Sequence, residues 1–210
     1  YNLIKYCEIN YVLLEKVVFQ KLIYFKKFTK ISKEKKIKFI INYPRRLWDF
    51  FQIIKKEIKI SQSKFEISFK GQNWGLCCNT VHFIDLLFFL SYEKISDVKS
   101  YPFLQKKIYN SKRKNFYELK GKINYECNNG NKLTISDEKK NNKNSLIIKF
   151  QNFIYQIEFD NDYYFVKKII NNIDKIEKNF KIKVPKQSEI TKNYLKYINQ
   201  GKINLFCDLN

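Results

Sequence analysis

Apolar side chains arrive in different rhythms along this chain. From Asn10 to Gln20 they are almost continuous, broken by one Glu15-Lys16 pair. That is the pattern of a strand buried on both faces with its charges at the end. Gln20 to Lys33 has helical spacing, and Lys36 to Asn42 reads as a second strand through Ile37, Phe39 and Ile41. Arg45 to Ile58 reads as an amphipathic helix with Leu47, Phe50, Phe51, Ile54 and Ile58 on one stripe. Strand, helix, strand, helix in this order predicts an α/β unit.

After Ser61 the period changes to two. Phe65, Ile67 and Phe69 alternate with Glu66, Ser68 and Lys70, and Tyr117 to Tyr125, Leu146 to Phe150 and Phe153 to Phe159 follow the same rule. Asn129-Gly130 signals a hairpin into Lys132 to Ser136. These runs predict an antiparallel meander with one solvated face. Between them, a Trp74-Gly75 turn leads into Thr80 to Leu90, whose apolar character predicts a buried helix. Lys139 to Asn144 reads as a polar loop, and Gln187 or Ser188 as the start of a helix running to about Asn199, before Gly201.

Composition changes this picture in three ways. A hydrophobic fraction of 44% with 17% aromatics provides for a real core. The net charge of +21 points to an anionic partner, yet only three of the 41 basic residues are arginine, namely Arg45, Arg46 and Arg113. Base-edge readers depend on the arginine fork, so sequence-specific nucleic-acid binding is not expected, while the charge balance itself fits a small anionic substrate about as well as a polyanion. The partner expected is a small anionic sugar, with no nucleic acid. The five cysteines include the adjacent pair Cys77-Cys78 and form no C-x-x-C motif. They therefore make a poor disulfide framework and point to a reduced, cytoplasmic setting. With one histidine, a zinc site lacks ligands at suitable spacing. The longest apolar run, Phe83 to Leu90, is too short to span a bilayer, so no membrane partner is expected.

Three clusters could carry chemistry. Glu15-Lys16 stands at the exit of the first strand, where ligands of α/β sheets collect, and a partly desolvated ammonium there can hydrogen-bond a carbonyl or alkoxide. A solvated charge pair is the plain alternative. In Tyr43-Pro44-Arg45-Arg46 the proline sets a helix entry and two cations occupy the first turn, against the helix dipole, which suggests a bound anion; two solvated side chains are the alternative. The third cluster holds the single histidine, His82, with Asp85 close behind it in the first turn of the predicted helix. An imidazole beside a carboxylate can serve as a general base near neutral pH, and a core histidine bonded to backbone is the alternative.

Together these clusters resemble the latter part of the glucose-fructose oxidoreductase / inositol dehydrogenase / MocA (Gfo/Idh/MocA) family of NAD(P)-dependent oxidoreductases, especially its surface-sugar branch. Leu14-Glu15-Lys16-Val17 resembles the family's Glu-Lys-Pro motif, with Val17 in place of proline. Tyr43 to Arg46 and Gly71 to Leu76 resemble sugar-branch blocks, and Cys78 to Asp85 is similar to the Asp-x-x-x-His segment, with Cys78 at the acidic position. Gln187-Ser188 to Thr191 is similar to the family's Gln-Ser-x-x-Thr helix start. The resemblance implies that Lys16, with Glu15 beside it, meets the nicotinamide or the reacting hydroxyl and that His82 is the general base. It further implies that Arg45, Arg46, Asn73, Trp74, Asn79 and Asp85 line the substrate site, with Asp85 a stand-in for the missing acid, and that the sheet builds a homo-oligomer.

The expected architecture is α+β: residues 1–42 as the remnant of a dinucleotide-binding (Rossmann) domain, then residues 43–210 as an open, mostly antiparallel sheet domain with helices on one face. None of the five glycines makes a G-x-G-x-x-G turn, so the resemblance places that loop, and most of the NAD or NADP site, before Tyr1. The expected function is the substrate-binding and catalytic portion of an oxidoreductase acting on a hydroxyl or keto group of an anionic or nucleotide-linked sugar, weakly active by itself. A non-catalytic remnant or sheet-mediated interaction domain is the second reading, and a basic nucleic-acid binder the third.

Overall fold

The computed structural model describes residues 4, 6–16, 18–19, 21–91, 97–138, 144–160, 162–170, 175–203 and 206–208. The chain forms two compact units, Tyr1–Leu47 with Gln187–Asn210 and Trp48–Lys186. The first unit thus takes in residues 43–47 and the last helix, beyond the expected boundary after residue 42. Most of the predicted polar loop at 139–144 lies outside the described residues.

The first unit begins as a β-α-β element. Strand β1 (Tyr11–Leu14) leads to helix α1 (Leu22–Lys35), and β2 (Lys38–Ile41) returns parallel to β1 with Tyr11 opposite Lys38. A short antiparallel strand, which follows all others in the chain (β13, Cys207–Asp208), flanks β2 on its other side. The doubly buried strand is therefore β2, with Phe39 at 0% and Ile40 at 1% exposure. Among the described residues β1, expected to be buried on both faces, stands at the edge of this sheet, with Tyr11 and Leu13 exposed. Its apolar run is longer than the four residues that pair. Ile40 packs with Leu47, Ile190, Tyr194 and Phe206.

The predicted helix over 45–58 is two elements. A 3-10 turn covers Pro44–Leu47, and α2 (Asp49–Ser61) starts afresh after Trp48, whose backbone is extended. The apolar stripe is divided accordingly. Leu47 joins the first core, while Phe50, Phe51, Ile54 and Ile58 join the second.

In the second unit β3 (Phe65–Gly71) alternates buried and outward positions as its sequence demands. It leads into α3 (Leu76–Leu90), β4 (Val98–Leu104), the small β5–β6 hairpin (Tyr109–Asn110 and Tyr117–Glu118), β7 (Gly121–Cys127) and β8 (Lys132–Asp137). Strands β9 (Ser145–Phe150), β10 (Phe153–Phe159), β11 (Tyr163–Ile170) and β12 (Lys175–Lys183) complete an eight-stranded sheet of order β12-β11-β10-β9-β3-β8-β7-β4. Its pairs are antiparallel except β3 with β8. The meander reading is corrected there. The long excursion through α3 and β4–β7 lets β8 return alongside β3 in the same direction, which a tight hairpin cannot do. The inward side chains of the sheet pack with α2 and α3 in one core. Each fully buried Leu, Ile or Phe contributes roughly 1.5–3 kcal/mol there.

Candidate functional site

Parallel pairing of β3 and β8 sets Gly71 opposite Asp137 at the strand ends, and the turn that follows is built on that register. Asn73 is held at φ 51° and its backbone N–H donates to Asp137 Oδ1 at 2.9 Å. Asp137 is 2% exposed. The Trp74 indole N–H donates to the Ser136 carbonyl at 2.9 Å, and its ring meets Phe69 and Phe83 edge-on, with centroids 4.7 and 5.5 Å away. Asn79 Nδ2 donates back to the Trp74 carbonyl at 2.6 Å. Trp74 and Asn79 therefore hold the turn in shape before they could meet any ligand.

Gly75 ends the turn at φ 82°, a conformation that costs glycine nothing. A Cβ there would lie 3.1 Å from Glu118 Oε1 and 3.2 Å from Asn79 Nδ2. Glu118 Oε2 accepts the Cys77 backbone N–H at 2.8 Å, placing a carboxylate on the positive end of α3. Burial pushes the Cys77 thiol pKa up, and the neighbouring Glu118 carboxylate adds to this, although the Leu119 backbone hydrogen bond opposes it and the residue's surface meets solvent. Lys120 Nζ donates to Asn73 Oδ1 and lies 4.7 Å from the Tyr109 ring centroid.

Because α3 begins at Leu76, four residues before the predicted start, His82 stands in its second turn and Asp85 in its third. His82 is half-buried and Asp85 is 6% exposed. Cys78 occupies the same helical face one turn before His82, and Asp85 lies three residues after it. The second unit thus carries Asn73, Trp74, Asn79, His82 and Asp85 on one turn and the helix leaving it.

The first unit carries the other four predicted residues. Glu15 and Lys16 follow β1 directly, and Glu15 Oε1 accepts from Asn42 Nδ2 at 2.7 Å. Asn42, which follows β2 and is 3% exposed, has no hydrogen-bond partner for its Oδ1 among the described residues. A buried orphan acceptor at the carboxyl ends of two parallel strands suits a ligand amide or hydroxyl, as the nicotinamide end of a dinucleotide provides. The sequence offers no G-x-G-x-x-G turn for the pyrophosphate end. No glycine occurs between β1 and α1, and Lys21 caps α1 without a side-chain hydrogen bond. Arg45 and Arg46 are half-buried in the 3-10 turn, not in the first turn of a long helix. The helix that follows begins with Asp49, so the argument from cations on a helix N-terminus is withdrawn.

Among the described residues no group of three or more His, Cys, Asp or Glu side chains could hold a metal ion, and no helix is long and apolar enough to cross a membrane. Sequence reasoning missed Asn42, Glu118, Lys120 and Asp137. Asp137, at the end of an alternating run, carried a faint signal, whereas the others are brought in by pairing between distant strands.

No family model and no curated protein matches the chain. Solved structures do match. An oxidoreductase of Desulfitobacterium hafniense assigned to the NADPH-dependent class is 14% identical, with TM-score 0.64, 91% of this chain covered and 63% of that one. The UDP-N-acetylglucosamine 3-dehydrogenase GnnA of Acidithiobacillus ferrooxidans is 13% identical, with TM-score 0.55 and coverages of 94% and 64%. The chain shares its fold with both, as the Gfo/Idh/MocA resemblance implies. The transcriptional regulator Gal80p of Kluyveromyces lactis is similar too, at 14% identity, TM-score 0.56, and 94% and 57% coverage. The chain spans less than two-thirds of each of these proteins. What matches is the mixed α/β architecture with its large, mostly antiparallel sheet.

Proposed function

We propose that this chain is the substrate-binding and catalytic portion of an NAD(P)-dependent oxidoreductase acting on a hydroxyl or keto group of an anionic or nucleotide-linked sugar. The observation that carries the reading is the single histidine of the chain, half-buried on the helix that leaves a turn pinned by Asp137 and Ser136, in a fold shared with a UDP-sugar dehydrogenase.

In this reading His82 removes the hydroxyl proton as hydride leaves the carbon, and Lys16 stabilises the developing oxyanion. Bound nicotinamide supplies the hydride acceptor, and Glu15, Lys16 and Asn42 are the residues of this chain that would meet it. Asp85 orients the imidazole. Arg45 and Arg46 face the anionic part of the substrate, and Asn73 lines the sugar site. Residues 1–210 alone then bind dinucleotide weakly and turn over little.

Because there is one histidine, the absorbance of N-carbethoxyhistidine formed with diethyl pyrocarbonate reports on His82 alone. A UDP-sugar should slow the modification, and calorimetry should show no micromolar NAD binding. The reading is withdrawn if no sugar or sugar nucleotide protects His82 at millimolar concentration. A second reading, a non-catalytic interaction domain, is favoured by the shared fold of Gal80p, a transcriptional regulator. Failure of every sugar and sugar nucleotide to protect His82 would support it.

A further inference from the structure

From Lys99 to Lys122 the chain carries eight Lys or Arg residues and one acid, Glu118, a net +7 in 24 residues where the whole chain holds +21 in 210. That density is almost three times the average, so the general lysine bias does not account for it. The segment comprises β4, the β5–β6 hairpin and the start of β7. β4 is the last strand of the sheet, so one of its edges has no neighbour among the described residues.

Apolar rings stand in solvent on this basic arm. On β4, Tyr101 and Phe103 are 43% and 63% exposed, two residues apart and so on one face of the strand. Phe103 is opposite Lys122 of β7. On the hairpin, Phe116 and Tyr117 are 58% and 69% exposed, around a tip formed by the exposed Lys112, Arg113 and Lys114. At its base the Tyr109 ring has Lys107 Nζ at 5.5 Å and Lys120 Nζ at 4.7 Å from its centroid. Clustered ammonium groups repel one another and exposed rings order water, so both features are relieved by a single kind of partner: a flexible polyanion with flat apolar faces.

We propose that the β4–β6 arm binds single-stranded nucleic acid without sequence preference, its lysines and Arg113 meeting phosphates while Tyr101, Phe103, Phe116 and Tyr117 stack on bases. The scarcity of arginine, which argued against nucleic acid from sequence, bears on base-edge reading in a groove. Backbone neutralisation and stacking do not need the arginine fork. This proposal is independent of the role of His82.

Fluorescence anisotropy of the full chain with fluorescein-labelled oligo(dT) and oligo(rU), across a salt series, tests it. For four or more neutralised phosphates the log–log slope should be about −3 or steeper. Phe103→Ala with Tyr117→Ala should weaken binding by about tenfold or more, both rings being on the surface. Lys26→Ala with Lys33→Ala on α1 should change it by less than about threefold. A slope flatter than about −1, unchanged binding in the ring variant, or an equal loss in the α1 control would each overturn the proposal. So would tighter binding to phosphatidylserine vesicles than to either oligonucleotide, or a dimer in sedimentation velocity that the ring variant converts to monomer.

Discussion

The buried Asp137 carboxylate, at the end of β8, accepts the backbone N–H of Asn73 at 2.9 Å across the parallel seam with β3. One hydrogen bond thereby ties the left-handed residue of the Trp74 turn to a strand 64 positions away. Asp137→Ala leaves that N–H without its charged acceptor and should destabilise the chain by about 1–3 kcal/mol. Asp137→Asn keeps an acceptor and should cost less than half of that. Urea unfolding of the two variants checks the ratio, and equal losses would show that the carboxylate acts through something other than this bond.

Gly75→Ala should destabilise by about 1–2 kcal/mol, since its φ of 82° disfavours a side chain and the new methyl would press on Glu118 and Asn79. The effect is local to the turn. Hydrogen exchange of the Cys77 amide, which is bonded to Glu118, should speed up more than that of the Leu133 amide in the core.

A second buried network joins α2 to the sheet. Lys168 Nζ lies 3.2 Å from Glu57 Oε1, and the Tyr155 hydroxyl donates to Glu57 Oε2 at 2.8 Å. The Lys168 side chain is 9% exposed and Glu57 is 30% exposed, so loss of the carboxylate strands a charge in a dry place. Glu57→Leu should cost about 3 kcal/mol, and adding Lys168→Met should recover much of it. Additive losses in the double-mutant cycle would mean that the two groups do not act as a pair.

Burial raises the pKa of Cys127 and of Tyr125, and of Cys77 with help from Glu118. Each group holds its proton more tightly in the folded chain than in the unfolded one. Between the two pKa values the unfolded chain carries fewer protons, so stability falls as pH rises. Midpoints of urea unfolding should therefore drop between about pH 8 and pH 10, and Cys127→Val should flatten that drop. A midpoint that stayed level, or rose, would remove burial of these groups as a factor.

Periodicity sufficed where a segment's own pattern matches its surroundings. The alternation of Phe65, Ile67 and Phe69, the hairpin at Asn129-Gly130, β9, β10 and the helix from Gln187 to Asn199 are all in place. So is the mostly antiparallel sheet, because one face of each such strand must be apolar to pack with α2 and α3. The nine apparent candidates for chemistry were legible as residue types, since a lone histidine after a Trp-Gly turn and a Glu-Lys pair after a strand stand out in any sequence.

The sequence alone determined which short segments are strands or helices and which side chains are apolar enough to face inward, for those are local properties of the chain. Tertiary structure alone decided that β2 rather than β1 is the buried strand, that β8 runs parallel to β3, and that Asp137, Glu118 and Lys120 gather at the Trp74 turn. It also decided that Leu47 and Phe50, three residues apart, enter different cores. Those outcomes depend on which distant strand supplies the next hydrogen-bonding edge, and no spacing within a single segment carries that information.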